Sequence, residues 1–494
     1  MIAIWNNPEW VRHRRATLRP ATAIAVVAVS WLLCALTVYV ADIKTMIGIV
    51  ILAHMVGLPL WVGSTCGNSI MQERAFQTFD FWRTTRLTSG ELVAGQLCGV
   101  PIMGILAVGS TFPVALLSID TGVNPVNLAL IYVMLALFCV TVGTGSLVFS
   151  MCATPFRGSR VLTWLIGFYL VSSIVAFANG TGMGYGLSVM TPFPFLGDML
   201  GSEAGAINFS TSQFSISQST VLFGVIPVPS FLLGIAINLS FSGWFFLMLS
   251  RNIKKERHEL RLLSRWQAIG FAVFITLLFH ALGISSRLEE NPAALMIQQS
   301  LFLLTVLILY LIGIIMLTPA ERLRMWWQHW SSGHASYLHE DGFPWPWVVV
   351  TAVCLAGVTY FSASVGGWFS PALLWNLGLA AVFAIRDMTF LQWCLCRSFK
   401  RPLFTGTLYL GLYYFVVQVL TSTLPDINSM LVPPMALDLE VRQPIVTVVL
   451  QGLIAGALLH LLTTQLKEPA RSVSPSSDGK PQQPIPTEPP SPLQ

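Results

Sequence analysis

The chain is short of charge. Only 10% of its 494 residues are Asp, Glu, Lys or Arg, against roughly 25% in a soluble domain. So few charges cannot solvate a globular surface of this size. Motifs for chemistry are missing as well. No GxxxxGK[ST] loop occurs, so the chain does not hydrolyse ATP by that route. Neither GxSxG nor HExxH is present. Among eight cysteines there is no CxxC pair, and Cys394-Leu-Cys396 has the wrong spacing for a zinc knuckle. Most of the cysteines sit in apolar runs and read as small apolar packers. The first apolar run is long and no small-residue cleavage site follows it, so it reads as a span rather than a signal peptide.

Acids are also scarce where a carrier would need them. The 22 carboxylates read as loop or span-end residues. Glu73, Asp80 and Glu91 are expected inside, and Asp42, Asp120, Asp198, Glu289 and Glu290 outside. The Arg386-Asp387 pair is assigned to the inner end of a span, as an interfacial ion pair. Ion-coupled carriers place acids at mid-membrane, so this pattern counts against one. His329, His334 and His339 share a loop with Glu340 and Asp341, but their spacing fits no compact metal site. His54 and His280 read as helix-packing hydrogen bonders. No cofactor or metal is expected in this chain. The absence of a one-sided cluster of His, Asp, Glu or Ser weighs against a membrane-embedded transferase or hydrolase.

What the chain has is long apolar runs. It is 54% hydrophobic, with a mean hydropathy of +0.70. Crossing a hydrocarbon core about 30 Å thick takes roughly 20 apolar residues of helix. Twelve such runs lie near 21–41, 45–66, 92–117, 125–151, 160–178, 220–250, 267–286, 298–318, 346–364, 371–393, 403–424 and 443–464. The expected fold is an all-α polytopic membrane protein of two six-helix halves. The sixth run exceeds a span, which implies tilt or an extension beyond the bilayer.

Basic residues orient the spans. With the N-terminus inside, cytoplasmic segments hold 24 of the 27 Lys and Arg, and the outside keeps only Lys44, Arg287 and Arg442. Both termini are then cytoplasmic. The net charge of +5 is spread over seven inner segments and points to no nucleic acid. A basic linker, 251–265, divides a region 1–250 from a region 266–466. Residues 467–494 are rich in Pro, Ser and Gln and cannot bury a core, so a disordered tail is expected.

Two segments carry finer patterns. Asn7-Pro8-Glu9 suits the N-cap, N1 and N2 of a helix. With Trp10, Arg12, Arg14, Arg15 and Arg19 it predicts a basic interfacial helix ahead of the first span. In 70–99, Phe76, Phe79 and Trp82 fall at i, i+3 and i+6, while Glu73, Gln77 and Asp80 fall at i, i+4 and i+7. This spacing predicts one amphipathic helix lying on the inner membrane face. Thr88-Ser-Gly-Glu91 then has capping-box spacing and predicts a fixed start for the third span.

These features resemble the permease subunits of exporter-type (type 2) ABC transporters. Such permeases open with an elbow helix, often at Asn-Pro. After the second span they carry Glu-Arg, Thr-x-Asp, Thr-x-Leu-Ser/Thr and Glu-x-x-x-Gly. Here stand Glu73-Arg74, Thr78-Phe-Asp80, Thr85-Arg-Leu87-Thr88 and Glu91-Leu-Val-Ala-Gly95. The resemblance covers about residues 1–250. It departs at Gln77, Arg86 and Gln96, where the family often has Gly, Pro and Lys. The turn Phe156–Arg160 fits, and 191–205 loosely resembles the family's re-entrant stretch. The resemblance implies an ATPase-coupling segment containing Glu73, Arg74, Thr78, Asp80, Arg83, Thr85, Thr88 and Glu91, and an elbow containing Asn7, Pro8, Trp10, Arg12, Arg14 and Arg15. It also implies a separate ABC ATPase partner that hydrolyses the ATP, the lipid bilayer of a bacterial inner membrane as solvent, and a homodimer or additional permease subunit. In 266–466 only Glu321-Arg322 echoes the pattern, so that region reads as a decayed repeat or an accessory half. The alternative is a non-transporting scaffold or assembly protein that keeps a permease-like fold.

Overall fold

The computed structural model describes residues 7–40, 43–76, 78–120, 123–152, 191, 220–223, 226–255, 260–285, 294–336, 338–365, 371–397, 402–423, 433 and 444–467. The expected fifth span, the turn 156–160, nearly all of the segment 191–205 and the tail from 468 lie outside these residues.

Helices dominate, as the apolar runs require. They are α1 (Pro8–Thr17), α2 (Pro20–Val40), α3 (Ile43–Ala75), α4 (Phe79–Thr84), α5 (Ser89–Gly99), α6 (Ile102–Leu116) and α7 (Pro125–Cys152). Then follow α8 (Ser230–Asn252), α9 (Arg265–Ser285), α10 (Ala294–Ile315) and α11 (Ala320–Ser331). The last are α12 (Trp345–Val365), α13 (Pro371–Cys396), α14 (Pro402–Thr423) and α15 (Pro444–Lys467). Among the described residues, nine helices are long and apolar enough to cross a bilayer. The pair α5 and α6, bent by 50°, makes a tenth if counted as one span. The chain is thus a helical protein built for multiple membrane crossings.

Two features differ from the sequence expectation. The run at 220–250 is not one long helix. Residues Thr220–Phe223 (β1) and Ile226–Pro229 (β2) pair as an antiparallel hairpin, and α8 starts only after Pro229. Pro227 and Pro229 cannot donate to a helix interior, which explains the late start. Second, α3 has 33 residues, about 50 Å of helix, well beyond the roughly 30 Å of hydrocarbon. A helix of that length either tilts in the bilayer or runs beyond it.

By contacts the chain divides into two units, residues 1–316 with 347–381 and 434–440, and residues 317–346 with 382–433 and 441–494. In the first, α3 is the axis. Met46, Ile47, Val50, Ile51 and Met55 pack on Val114 and Ala115 of α6 and on Leu128, Ile131, Met134 and Phe138 of α7. Lipid tails are as apolar as Leu, so packing detail and interhelical hydrogen bonds hold such helices together. His54 lies between Tyr132 (2.7 Å from Nδ1) and the Thr111 hydroxyl (2.7 Å from Nε2). It is the helix-packing hydrogen bonder expected. Thr141 likewise joins α7 to Asn238 and Ser242 of α8.

In the second unit, α11 packs Leu323 and Trp326 on Phe343, on Cys396 of α13, and on Leu462 and Leu466 of α15. The pair Arg386-Asp387 is not interfacial. Asp387 stands about 14 Å from the C-terminal end of α13, inside an apolar stretch Ala372–Cys396 that passes as a span. Both side chains are buried, at 4% and 0% exposure. The assignment of every carboxylate to a loop or span end is therefore corrected. Arg386 donates to Asp387 Oδ1 (2.8 Å), to Tyr413 (3.2 Å) and Gln451 (2.7 Å), and to Tyr414 (2.7 Å). The Tyr414 hydroxyl donates to Asp387 Oδ2. Burying a charge in hydrocarbon is tolerated only when it is paired in this way.

Candidate coupling site

The N-terminal helix forms as its sequence dictates. Asn7 is the N-cap, with its Oδ1 accepting from the Glu9 N–H (2.9 Å) and the Trp10 N–H (3.4 Å), and Pro8 is at N1. The cap also reaches outward, since Asn7 Nδ2 donates to the Glu91 carbonyl at 2.6 Å. The helix lies on α5, over Gly95 and Gly99. A Cβ on Gly95 would stand 2.7 Å from Glu9 Cβ, and one on Gly99 would stand 2.8 Å from His13 Cβ. Only glycine permits this approach, and the i, i+4 spacing puts both on one face. Trp10 is buried and its ring carries the Arg14 guanidinium at 4.9 Å. Arg14 and Arg15 are exposed. Trp10 thus packs within the protein rather than facing headgroups.

Between the two glycines sits Gln96, fully buried. It accepts from the Ser69 hydroxyl of α3 and donates to Glu9 Oε1 at 2.7 Å. Glu9 in turn accepts from Arg12 at 2.6 Å. The same Arg12 nitrogen donates to Glu73 at the end of α3, and the Thr78 hydroxyl donates to the other Glu73 oxygen. One chain of hydrogen bonds thus runs Ser69, Gln96, Glu9, Arg12, Glu73, Thr78, tying α3, α5, α1 and the entry to α4. Burial opposes the Glu9 charge, but the hydrogen bond with His13 and the nearby Arg12 charge prevail and hold its carboxyl below the usual range.

That shift has a sign. A carboxyl lowered on folding adds stability that is complete above the ordinary Glu range near ~4.3 and is lost as pH falls through the lowered value. The α1–α5 junction should therefore resist proteolysis unchanged from neutral pH to about 5 and loosen below the ordinary Glu range. Glu9→Gln should loosen it modestly at neutral pH and remove the acid-induced step. A full acid step in that variant would exclude Glu9 as its origin.

The segment after α3 departs from the single amphipathic helix expected. The helix ends at Ala75, the chain turns, and α4 begins at Phe79. This turn breaks the stripe. Phe76 is 76% exposed, whereas Phe79 and Trp82 are buried. They pack not on lipid but on Ile70, Leu92, Val93, Leu147, Met151, Leu249 and Ile253. Arg74 donates to the Met151 carbonyl at the end of α7 (2.6 Å) and stacks on Phe79 at 4.7 Å. Lys254 donates to the Thr85 carbonyl at 3.2 Å, so the basic linker grips the segment from its other side. Phe81 is left pointing outward, 62% exposed. Asp80 and Arg83 lie in the α4 backbone, but their side chains, and Gln77, are outside the described residues.

The capping box forms as spaced. The Glu91 N–H donates to the Thr88 hydroxyl (3.3 Å), and Glu91 Oε2 accepts from the Thr88 N–H (2.8 Å). Of the predicted set, the structure joins Asn7, Arg12, Glu73, Thr78 and, through its carbonyl, Glu91. Arg74, Thr85 and Thr88 bond elsewhere in the same region. Sequence reasoning missed Ser69, Gln96, Gly95–Gly99 as a helix seat, and Lys254. The signal available was Gly-x-x-x-Gly enclosing one polar residue. No family model, curated protein or solved structure matches this chain.

Proposed function

We propose that this chain is the membrane-spanning permease subunit of an ATP-driven exporter whose ATPase is a separate protein. In this reading it crosses a bacterial inner membrane twelve times with both termini cytoplasmic, holds no cofactor itself, and works with a second copy or another permease subunit. The observation that carries the reading is the rooting of α4. Its inward side chains, Phe79 and Trp82, sit in a core shared by α3, α5, α7 and α8, and its flanks are tied to α1 and to the basic linker. Its outward residues, Phe81 and the preceding Phe76, are large, apolar and exposed. In this reading the patch lies beyond the lipid, where apolar side chains are unfavourable in water and suit a protein partner. A force applied there would reach four membrane helices.

Phe81→Asp and Phe76→Asp should leave insertion and melting behaviour unchanged, because neither side chain is packed. ATP turnover carried by the protein purified from its native membranes should fall at least about tenfold, the effect of losing about 1.4 kcal/mol of contact. The chain produced alone should show no turnover. Hydrolysis by the lone chain above a heat-killed control, or native complexes indifferent to both substitutions, would sink the reading.

A further inference from the structure

The basic stretch 251–265, which the sequence marks as a divider between two regions, is built into the protein on both sides. Its first residues complete α8. Leu249 and Ile253 are buried in the core that holds Phe79 and Trp82 of α4, and Leu260 and Leu262 pack against the same core. Asn252, also buried, closes the stretch on itself. Its Oδ1 accepts from the Arg261 N–H at 2.9 Å, and its Nδ2 donates to the Met248 carbonyl at 2.8 Å and the Leu262 carbonyl at 3.3 Å. An amide buried in this way is costly to disturb, because bonds lost away from water are not replaced.

The stretch grips another element on each side. On one, the Lys254 ammonium donates to the Thr85 carbonyl, just past α4, at 3.2 Å, and Arg74 reaches the Lys255 carbonyl at 3.5 Å. On the other, Arg251 donates to Gln267 Oε1 at 2.9 Å. The same oxygen accepts from the Ser264 N–H at 3.0 Å, while the Gln267 N–H donates to the Ser264 hydroxyl at 3.3 Å. That capping box fixes the start of α9. Next in line, the Arg265 guanidinium lies 5.5 Å over the Trp347 ring, and Trp266 meets that ring edge-on at 4.9 Å. Trp347 is in the first turn of α12 and is 1% exposed. Every residue in this series belongs to the first unit.

We propose that residues 251–255 and 260–267 act as a strut that carries displacement of α4 into α9 and the start of α12. Packed side chains and hydrogen bonds pass a shift along a series of this kind, whereas a flexible linker would absorb it. The consequence concerns the region 266–466, where only Glu321-Arg322 echoes the coupling pattern. Its first helix takes its movement from α4 through the strut. The inference needs no ATPase and is tested on the lone chain, so it stands or falls apart from the exporter reading.

The test is hydrogen–deuterium exchange of the full chain in one fixed detergent, read in peptides covering 79–85, 261–270 and 347–352. Lys254→Met removes the bond to Thr85, and Gln267→Leu removes the bond from Arg251. Each should speed exchange at its own end by about tenfold, the scale of one lost hydrogen bond to a charged group, and at the opposite end by about threefold. Asn252→Ala, between them, should speed all three peptides by about tenfold. Should that variant fail to fold, the two end variants decide. Thr141→Val cuts bonds from α7 to Asn238 and Ser242 of α8, away from the strut, and should leave the three peptides at wild-type rates. Exchange unchanged at the opposite end in either Lys254→Met or Gln267→Leu, or the same spread of effects in Thr141→Val, would overturn the proposal.

Discussion

Asp387→Leu should lower the stability of the protein by about 3–5 kcal/mol, the loss expected when one member of a buried ion pair is removed. Arg386 would be left inside an apolar helix facing two tyrosines and a glutamine, none of which bears charge. The second half of the experiment is the informative one. Arg386→Met/Asp387→Leu removes both charges together, and such replacements are commonly near neutral or stabilising. The double variant should therefore melt close to the wild type while the single variant does not. Tyr414→Phe, which deletes one hydroxyl that both accepts from Arg386 and donates to Asp387, should cost about 1–3 kcal/mol. Thermal or dodecyl-sulfate unfolding in one fixed detergent reads all three. Equal losses in the single and double variants would mean that α13, α14 and α15 are not joined by this pair. The pairing also bears on mechanism. Asp387 is the mid-span acid that an ion-coupled carrier would use, but Arg386 already neutralises it.

Trp82→Ala should cost about 3–5 kcal/mol, as large-to-small changes at fully packed aromatic sites do. Phe81→Ala, one residue earlier, should stay within about 0.5 kcal/mol. Both residues lie in the six-residue helix α4, and only their direction differs. Trp82 is 1% exposed and its ring lies 5.7 Å from that of Phe79. A helix floating on the bilayer would predict small and lipid-dependent effects at both positions. Comparing the two variants in detergent and in lipid discs discriminates the cases. A Trp82→Ala protein as stable as wild type in detergent would return α4 to the membrane surface.

The elbow shows how a correct local reading can miss its own purpose. Asn7-Pro8-Glu9 was legible as a helix start because a cap is settled within four residues. Thr88 and Glu91 were legible for the same reason. Yet Asn7 also donates to the Glu91 carbonyl, 84 residues away, and Glu9 is held by Gln96, 87 residues away. Nothing local marks those pairings. In the sequence, Gln96 stands out only as a position where the resembling family often has Lys. Its role as the hub between Ser69 and Glu9 follows from the seat that Gly95 and Gly99 make for α1.

The amphipathic stripe failed for a different reason. Phe76, Phe79 and Trp82 share a face only if one helix runs through all three, and the turn after Ala75 rotates the first away from the others. The Arg386-Asp387 reading failed because a charge at the end of a hydropathy window resembles an interfacial charge until the helix boundary is known.

By itself the sequence determined that this chain lives in a membrane, where most of its spans run, and where its helices are capped. Those properties follow from one-dimensional rules, about 20 apolar residues for each crossing and side-chain caps that close within a turn. The tertiary structure alone decided which apolar faces meet protein and which meet lipid. It set Trp82 in a core, joined Glu9 to Glu73 through Arg12, and sealed Asp387 against Arg386. The physical reason is that lipid and protein interiors are equally apolar to a side chain. Hydrophobicity can place a residue in the membrane but cannot say what it touches there.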